Sequence, residues 1–136
     1  MNLLFLCKYN RFRSKVAEAI FLKLNKDKGI EVKSAGVLID LMRQYVAQSV
    51  IKELKRRGYA IRDEQSRRVD DYLLLWADKI IIVANNVHID LFKKYKNKID
   101  IWKIEDADEK EEGAIKRIIG EIEKRVKGLI KTINRE

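Results

Sequence analysis

Four short apolar runs separated by one-sided helical stripes restrict this chain to a small set of folds. Residues 3–6, 30–34, 79–84 and 99–102 read as strands. Between and after them, Val16, Ala17, Ile20, Phe21 and Leu24, then Val46, Ala47, Val50, Ile51 and Leu54, then Ile115 through Ile133 recur at helical spacing. Alternating strands and helices favour a parallel sheet covered on both faces, because parallel neighbours need long crossovers. We therefore expect an α/β fold: one three-layer domain over 1–136, a four-stranded parallel sheet with helices on both faces. With 136 residues, 46% of them hydrophobic, the chain has enough material for one core.

Turn residues set the expected boundaries. The first helix should close near Gly29, a residue suited to a left-handed cap, and the second should stop at Gly58, with Tyr45 read as part of the second helix over a place in the cleft. Asp70 should cap a short helix ending near Trp76. Asn85 and Asn86 should lead into a helix containing Ile89, Phe92 and Tyr95. Its opening residue, His88, is read as structural or solvated, and Trp76 and Trp102 as packing residues.

The chemistry is concentrated where the first strand meets the first helix, in Cys7-Lys8-Tyr9-Asn10-Arg11-Phe12-Arg13-Ser14. Backbone N–H groups of such a loop, with the first unpaired ones of the helix, can converge on an anion. The same donors favour thiolate over thiol, so Cys7 is the candidate nucleophile. Arg13 offers a permanently charged fork for two oxygens of a phosphoryl group. Ser14 can donate its hydroxyl to the sulfur. With no glycine in the loop, Asn10 is the residue best able to take a left-handed backbone conformation and set its curl. Lys8, Tyr9, Asn10, Arg11, Phe12 and Ser14 are thus the candidate phosphate-binding residues.

This octapeptide, followed by Ala17-Glu18-Ala19, resembles the low-molecular-weight protein tyrosine phosphatases, whose signature is a cysteine, five residues, arginine and serine or threonine near the N-terminus. Ser34-Ala35-Gly36 is similar to a second family stretch, in which the serine braces the phosphate loop. The resemblance runs nearly end to end and implies the strand order two-one-three-four. It also implies a phosphocysteine intermediate, no cofactor and no metal. Ser34 is then a partner of Asn10, and Glu64 and Arg67 occupy the place of a supporting histidine and arginine, with Glu64 replacing the histidine. Asp106-Ala107 stands where the family has aspartate-proline, making Asp106 the candidate general acid and Asp108 the fallback. Tyr9 and Arg11 depart from the family's usual glycine and small or aliphatic residue, and the loop over 37–44 lacks the family's aromatic wall. Tyr9 is a candidate substitute.

The expected function is a cysteine-dependent phosphomonoesterase acting on a phosphorylated protein, phosphotyrosine or similar, or on a small phosphate ester, with inorganic phosphate as product and inhibitor. Phosphoarginine stays open as a substrate. The alternatives are an arsenate reductase drawing on an external thiol, since Cys7 is the only cysteine, a cysteine phosphocarrier and a phosphate-binding module without turnover. One cysteine and one histidine argue against a zinc site. The net charge of +9 is scattered over several elements without an aromatic-basic stripe, which argues against a nucleic-acid partner and for a solvated lysine-rich surface. No apolar run reaches the ~18 to 20 residues of a membrane span, and the N-terminus lacks the basic start of a signal peptide. A cytoplasmic location is expected.

Overall fold

In the computed structural model, which describes residues 1–134, the elements follow the order β1 (Asn2–Cys7), α1 (Arg13–Leu24), β2 (Glu31–Gly36), α2 (Gln48–Arg56), α3 (Asp71–Trp76), β3 (Lys79–Val83), a 3₁₀ segment (Ile89–Lys98), β4 (Ile99–Trp102) and α4 (Glu112–Asn134). The sheet is wholly parallel, in the order β2-β1-β3-β4. Phe5 pairs with Ser34 on one side and Ile81 on the other, and Cys7 with Gly36, so β1 is central and ends beside the end of β2.

Alternation along the strands divides the core in two. Leu3, Phe5, Ile81 and Val83 face a layer that includes Val16, Ile20, Ile118, Ile122 and Val126 of α1 and α4. Leu4, Leu6, Ile80 and Ile82 face Leu73 and Leu74 of α3 and Phe92. Each fully buried aliphatic side chain of this kind is worth about 1.5–3 kcal/mol relative to exposure. Trp102 is buried against Phe5, their ring centroids 5.8 Å apart. Trp76 is half-buried beneath the Lys33 ammonium. Asp70 caps α3 by accepting the Leu73 N–H at 2.8 Å, as its position predicts. Gly58 closes α2 at φ +90°, the left-handed region. Among the described residues no helix is long and apolar enough to cross a membrane.

Three boundaries differ from the sequence reading. α1 stops at Leu24, not near Gly29, because the Asn25 and Asp27 side chains bond the neighbouring backbone, Asn25 Oδ1 accepting the Asp27 N–H and Asp27 Oδ1 the Gly29 N–H. Tyr45 lies outside α2: its segment pairs with 64–66 through the Val46 N–H to Glu64 O and Ser66 N–H to Gln44 O bonds, and this pairing overrides the helical periodicity. After His88 the chain forms 3₁₀ turns broken at Phe92 (φ −123°, ψ 28°), not a regular helix. Phe92 is the buried side chain of that lysine-rich segment, too little burial to hold a long helix.

Candidate active site

The carboxyl end of β1 delivers Cys7 to the floor of a cleft of about 390 Å³. Its sulfur is buried and lies 2.9 Å from Ser14 Oγ in the first turn of α1. Between them the chain loops through 8–12, and the backbone N–H groups of those five residues make no hydrogen bond among the described residues. They are available to an oxyanion above the sulfur. Asn10 has φ +54°, the left-handed conformation expected of it.

Asn10 is fully buried and acts as the hub of a relay. Its Oδ1 accepts the Arg67 backbone N–H at 2.9 Å, which forces Nδ2 toward Ser14 Oγ (2.7 Å) and Ser34 Oγ (3.1 Å). Ser34 in turn donates its only proton to Glu18 Oε1 at 2.8 Å, and Glu18 Oε2 is paired with the Arg62 guanidinium at 2.7 Å. Both hydroxyls accept from Asn10, so the proton left on Ser14 points at Cys7 Sγ. The chain of bonds thus presents the sulfur with a donor, the polarity that stabilises a thiolate.

Two further groups hold the loop from below. Ser66 Oγ donates to Asn10 O at 3.1 Å, and Gly36 admits the loop because it has no side chain. A Cβ on Gly36 would stand 2.8 Å from Asn10 N, from the Tyr9 carbonyl carbon and from Leu38 O.

Arg13 is among the largest fully buried side chains, only 2% exposed, yet its guanidinium lines the cleft. Nη1 donates to Ile104 O and Nη2 to Asn86 Oδ1, both at 2.9 Å, which aims the fork. Asp106 Oδ2 sits 3.5 Å from the same Nη2, with the carboxylate 46% exposed at the mouth. Asp108 also lines the cleft, but its Oδ1 accepts the Lys110 N–H and it makes no ion pair with Arg13. Tyr9 and Phe12 line the cleft with Val50 and Ile115, which puts an aromatic ring of the 8–12 loop on its wall. The Lys8 ammonium lies 5.3 Å from the Tyr9 ring centroid. Arg11 is tied sideways, Nε donating to Tyr45 O at 2.9 Å and Nη2 lying 3.4 Å from Glu109 Oε2.

Two bracing assignments change. Glu64 is exposed, and its side chain makes no hydrogen bond among the described residues; only its carbonyl takes part, accepting the Val46 N–H. A carboxylate turned toward the loop would repel an anion bound at its free N–H groups. Arg67 braces Asn10 through its backbone N–H while its side chain is exposed. The residues that sequence reasoning missed are Ser66, Gly36, Asn86, Glu18 in its bonded role, and Arg62. Asn86 left a signal, a polar pair at the carboxyl end of a central apolar strand, where such sheets place their sites. His88 is exposed and does not line the cleft.

Solved structures with the same arrangement of elements include an arsenate reductase from Archaeoglobus fulgidus, 31% identical, covering 95% of this chain and 98% of that one at TM-score 0.76. A low molecular weight protein tyrosine phosphatase from T. tengcongensis is 25% identical over 97% of this chain and 99% of its own, at TM-score 0.85. The YwlE arginine phosphatase from Geobacillus stearothermophilus, at 21% identity, 98% and 93% coverage and TM-score 0.82, shares the fold. The family model described as low molecular weight phosphotyrosine protein phosphatase matches residues 2–136. With that match spanning the 8–12 loop, the relay and the segment of Asp106 and Asp108 alike, the chain belongs to the low molecular weight phosphotyrosine protein phosphatase family.

Proposed function

We propose that the protein is a cysteine-dependent phosphomonoesterase acting on phosphorylated protein, phosphotyrosine or a similar phosphoresidue. The observation that carries this reading is the Cys7 sulfur, hydrogen-bonded to Ser14 beneath a cleft that the buried Arg13 guanidinium also lines, with Asp106 at the mouth. Cys7 Sγ attacks phosphorus in line, the S–P bond forms, and the bond to the leaving oxygen breaks as Asp106 gives that oxygen its proton. Arg13 and the loop amides carry the charge on the three equatorial oxygens. In the second step Asp106 takes a proton from water, which attacks phosphorus. The S–P bond breaks, and Ser14 donates to the departing sulfur. Inorganic phosphate, the product, fits the same cradle and inhibits competitively. A reducing compartment keeps the lone thiol usable, which supports a cytoplasmic setting.

The test is turnover of p-nitrophenyl phosphate by wild type and Cys7→Ser without added metal. Equal rates would refute the role of Cys7. A panel of phosphotyrosine and phosphoarginine peptides then assigns the phosphoresidue.

Arsenate reduction is the competing reading, favoured by the 31% identity to the Archaeoglobus fulgidus arsenate reductase. With Cys7 as the only cysteine and the buried Phe12 as its fellow lining residue in the cleft, an internal thiol relay is impossible and an external thiol would have to finish the reaction. Arsenate-dependent oxidation of an added thiol separates the two.

A further inference from the structure

The segment that carries Asp106 is clamped at its far end by a residue the reaction itself does not use. Glu109 stands between two guanidinium groups, Oε2 being 3.4 Å from Arg11 Nη2 and Oε1 3.6 Å from Arg43 Nη1. Each guanidinium is itself held in place. Arg11 Nε donates to Tyr45 O at 2.9 Å, and Arg43 Nε lies 3.0 Å from Asp40 Oδ2. The Glu109 carbonyl accepts the Ser49 hydroxyl at 2.8 Å, which ties the same residue to α2. Glu109 lies within a tight turn in which Asp108 accepts from Lys110 N and Glu111 N, and Glu111 accepts from Asp108 N. The near end is fixed by Ile104, which is buried and whose carbonyl receives Arg13.

Asp106 therefore sits between Ile104 in the core and Glu109 at the far end, with Glu105 paired to Arg117 and Ala107 packed on the core beside it; Glu109 is the restraint that reaches across the cleft. The clamp matters because the protein contains no proline, so no ring fixes φ at residue 107; locally the segment has the Ala107 N–H to Asp106 Oδ1 bond at 2.9 Å and the packing of Ala107 against the core. Arg11 belongs to the phosphate loop and Arg43 to the loop before α2. Glu109 thus joins three separate segments around the cleft.

We propose that Glu109 is a positioning residue for proton transfer, holding the Asp106 segment over the leaving oxygen through Arg11, Arg43 and Ser49. This rests on the reading of Asp106 as general acid. The pairs are long and partly exposed, so their loss loosens the segment without unfolding the protein, and salt weakens them.

The experiment compares kcat/KM for phenyl phosphate, whose leaving oxygen needs a proton, with that for p-nitrophenyl phosphate, whose leaving group departs more readily without one. The full chain is used as wild type, Glu109→Ala and Arg43→Ala. The ratio of p-nitrophenyl to phenyl turnover is expected to rise about threefold to fivefold in each variant. It should also rise with ionic strength in wild type and respond less in Glu109→Ala. A ratio equal to wild type in both folded variants overturns the positioning role while leaving the phosphatase reading intact. A wild type that hydrolyses neither ester overturns both.

Discussion

Asn10 Oδ1 accepts the backbone N–H of Arg67 at 2.9 Å, and this bond sets the direction of every proton in the relay beneath Cys7. A backbone amide can only donate, so the Asn10 side chain cannot flip, and both its N–H groups must face the two serine hydroxyls. Asn10→Asp keeps the acceptor and tolerates the left-handed backbone but can donate to neither serine. Losing two buried hydrogen bonds at about 1 kcal/mol or more each predicts a fall in kcat of about thirtyfold to a hundredfold with the circular dichroism spectrum retained. Steady-state kinetics on p-nitrophenyl phosphate checks this, and an unchanged kcat would show that the relay has no part in catalysis.

Ser14 is the last donor in that relay and touches the sulfur at 2.9 Å. On the proposed mechanism its contribution is greatest when sulfur leaves as an anion, so Ser14→Ala should slow the second step more than the first. Rapid-quench kinetics are expected to show a burst of p-nitrophenol followed by a steady state about tenfold to a hundredfold slower than wild type. Mass spectrometry of the quenched protein should show the phosphocysteine.

Asp106 and Asp108 both reach the cleft, but only Asp106 is paired with Arg13 among the described residues. Asp106→Asn should lower kcat about a hundredfold or more, the range of a lost general acid. Asp108→Asn should change it by less than about threefold. The reverse order would transfer the acid role to Asp108.

Gly36 is a contact point between the end of β2 and the loop over 8–12. The methyl group of Gly36→Ala would meet backbone atoms of Tyr9, Asn10 and Leu38 at 2.8 Å, and backbone cannot swing aside as a side chain can. Overpacking of this kind costs about 1–3 kcal/mol, and here it also deforms the anion cradle. Chemical denaturation should show the stability loss, and the inhibition constant for inorganic phosphate should weaken with it. Wild-type values for both would mean that the loop is more compliant than its contacts imply.

Two groups away from the cleft tie stability to pH. Hydrogen bonds from Arg56, opposed by burial and reinforced by Arg57, hold the Glu53 carboxyl at about 2, against an ordinary 4.5. A depressed folded value means that the stabilisation is present above pH 4.5 and is lost as pH falls toward about 2. Burial, with the hydrogen bond to Glu123, pushes the Tyr59 phenol up to about 12 from 10. A raised value means that its contribution is intact below pH 10 and disappears as pH rises through about 12. Melting temperature against pH should fall at both ends, with Glu53→Gln flattening the acid limb and Tyr59→Phe the alkaline one.

Where the sequence misled, local propensity lost to pairing at a distance. Tyr45 and Val46 continue a helical stripe on paper, but the Val46 N–H goes to Glu64 O and stays extended. Glu64 stands at the position of a supporting histidine, yet the support comes two and three residues later, from the Ser66 hydroxyl and the Arg67 amide. Asp70, the stop at Gly58 and the apolar runs, by contrast, were readable because a cap, a helix stop and a strand face depend on side chains within a few residues.

Sequence alone determined the strand-loop-helix unit and the placing of Cys7, Asn10, Arg13 and Ser14 upon it. These four lie within eight consecutive residues, so one turn of backbone suffices to bring them together. Tertiary structure alone decided what orients them: the Arg67 amide under Asn10, the Ile104 carbonyl and Asn86 amide under Arg13, the bare Cα of Gly36 against the loop and the Arg62 partner of Glu18. An amide or carbonyl is present in every residue and leaves no mark in a string of letters. Which one faces the site is settled only when the sheet's register brings distant segments alongside.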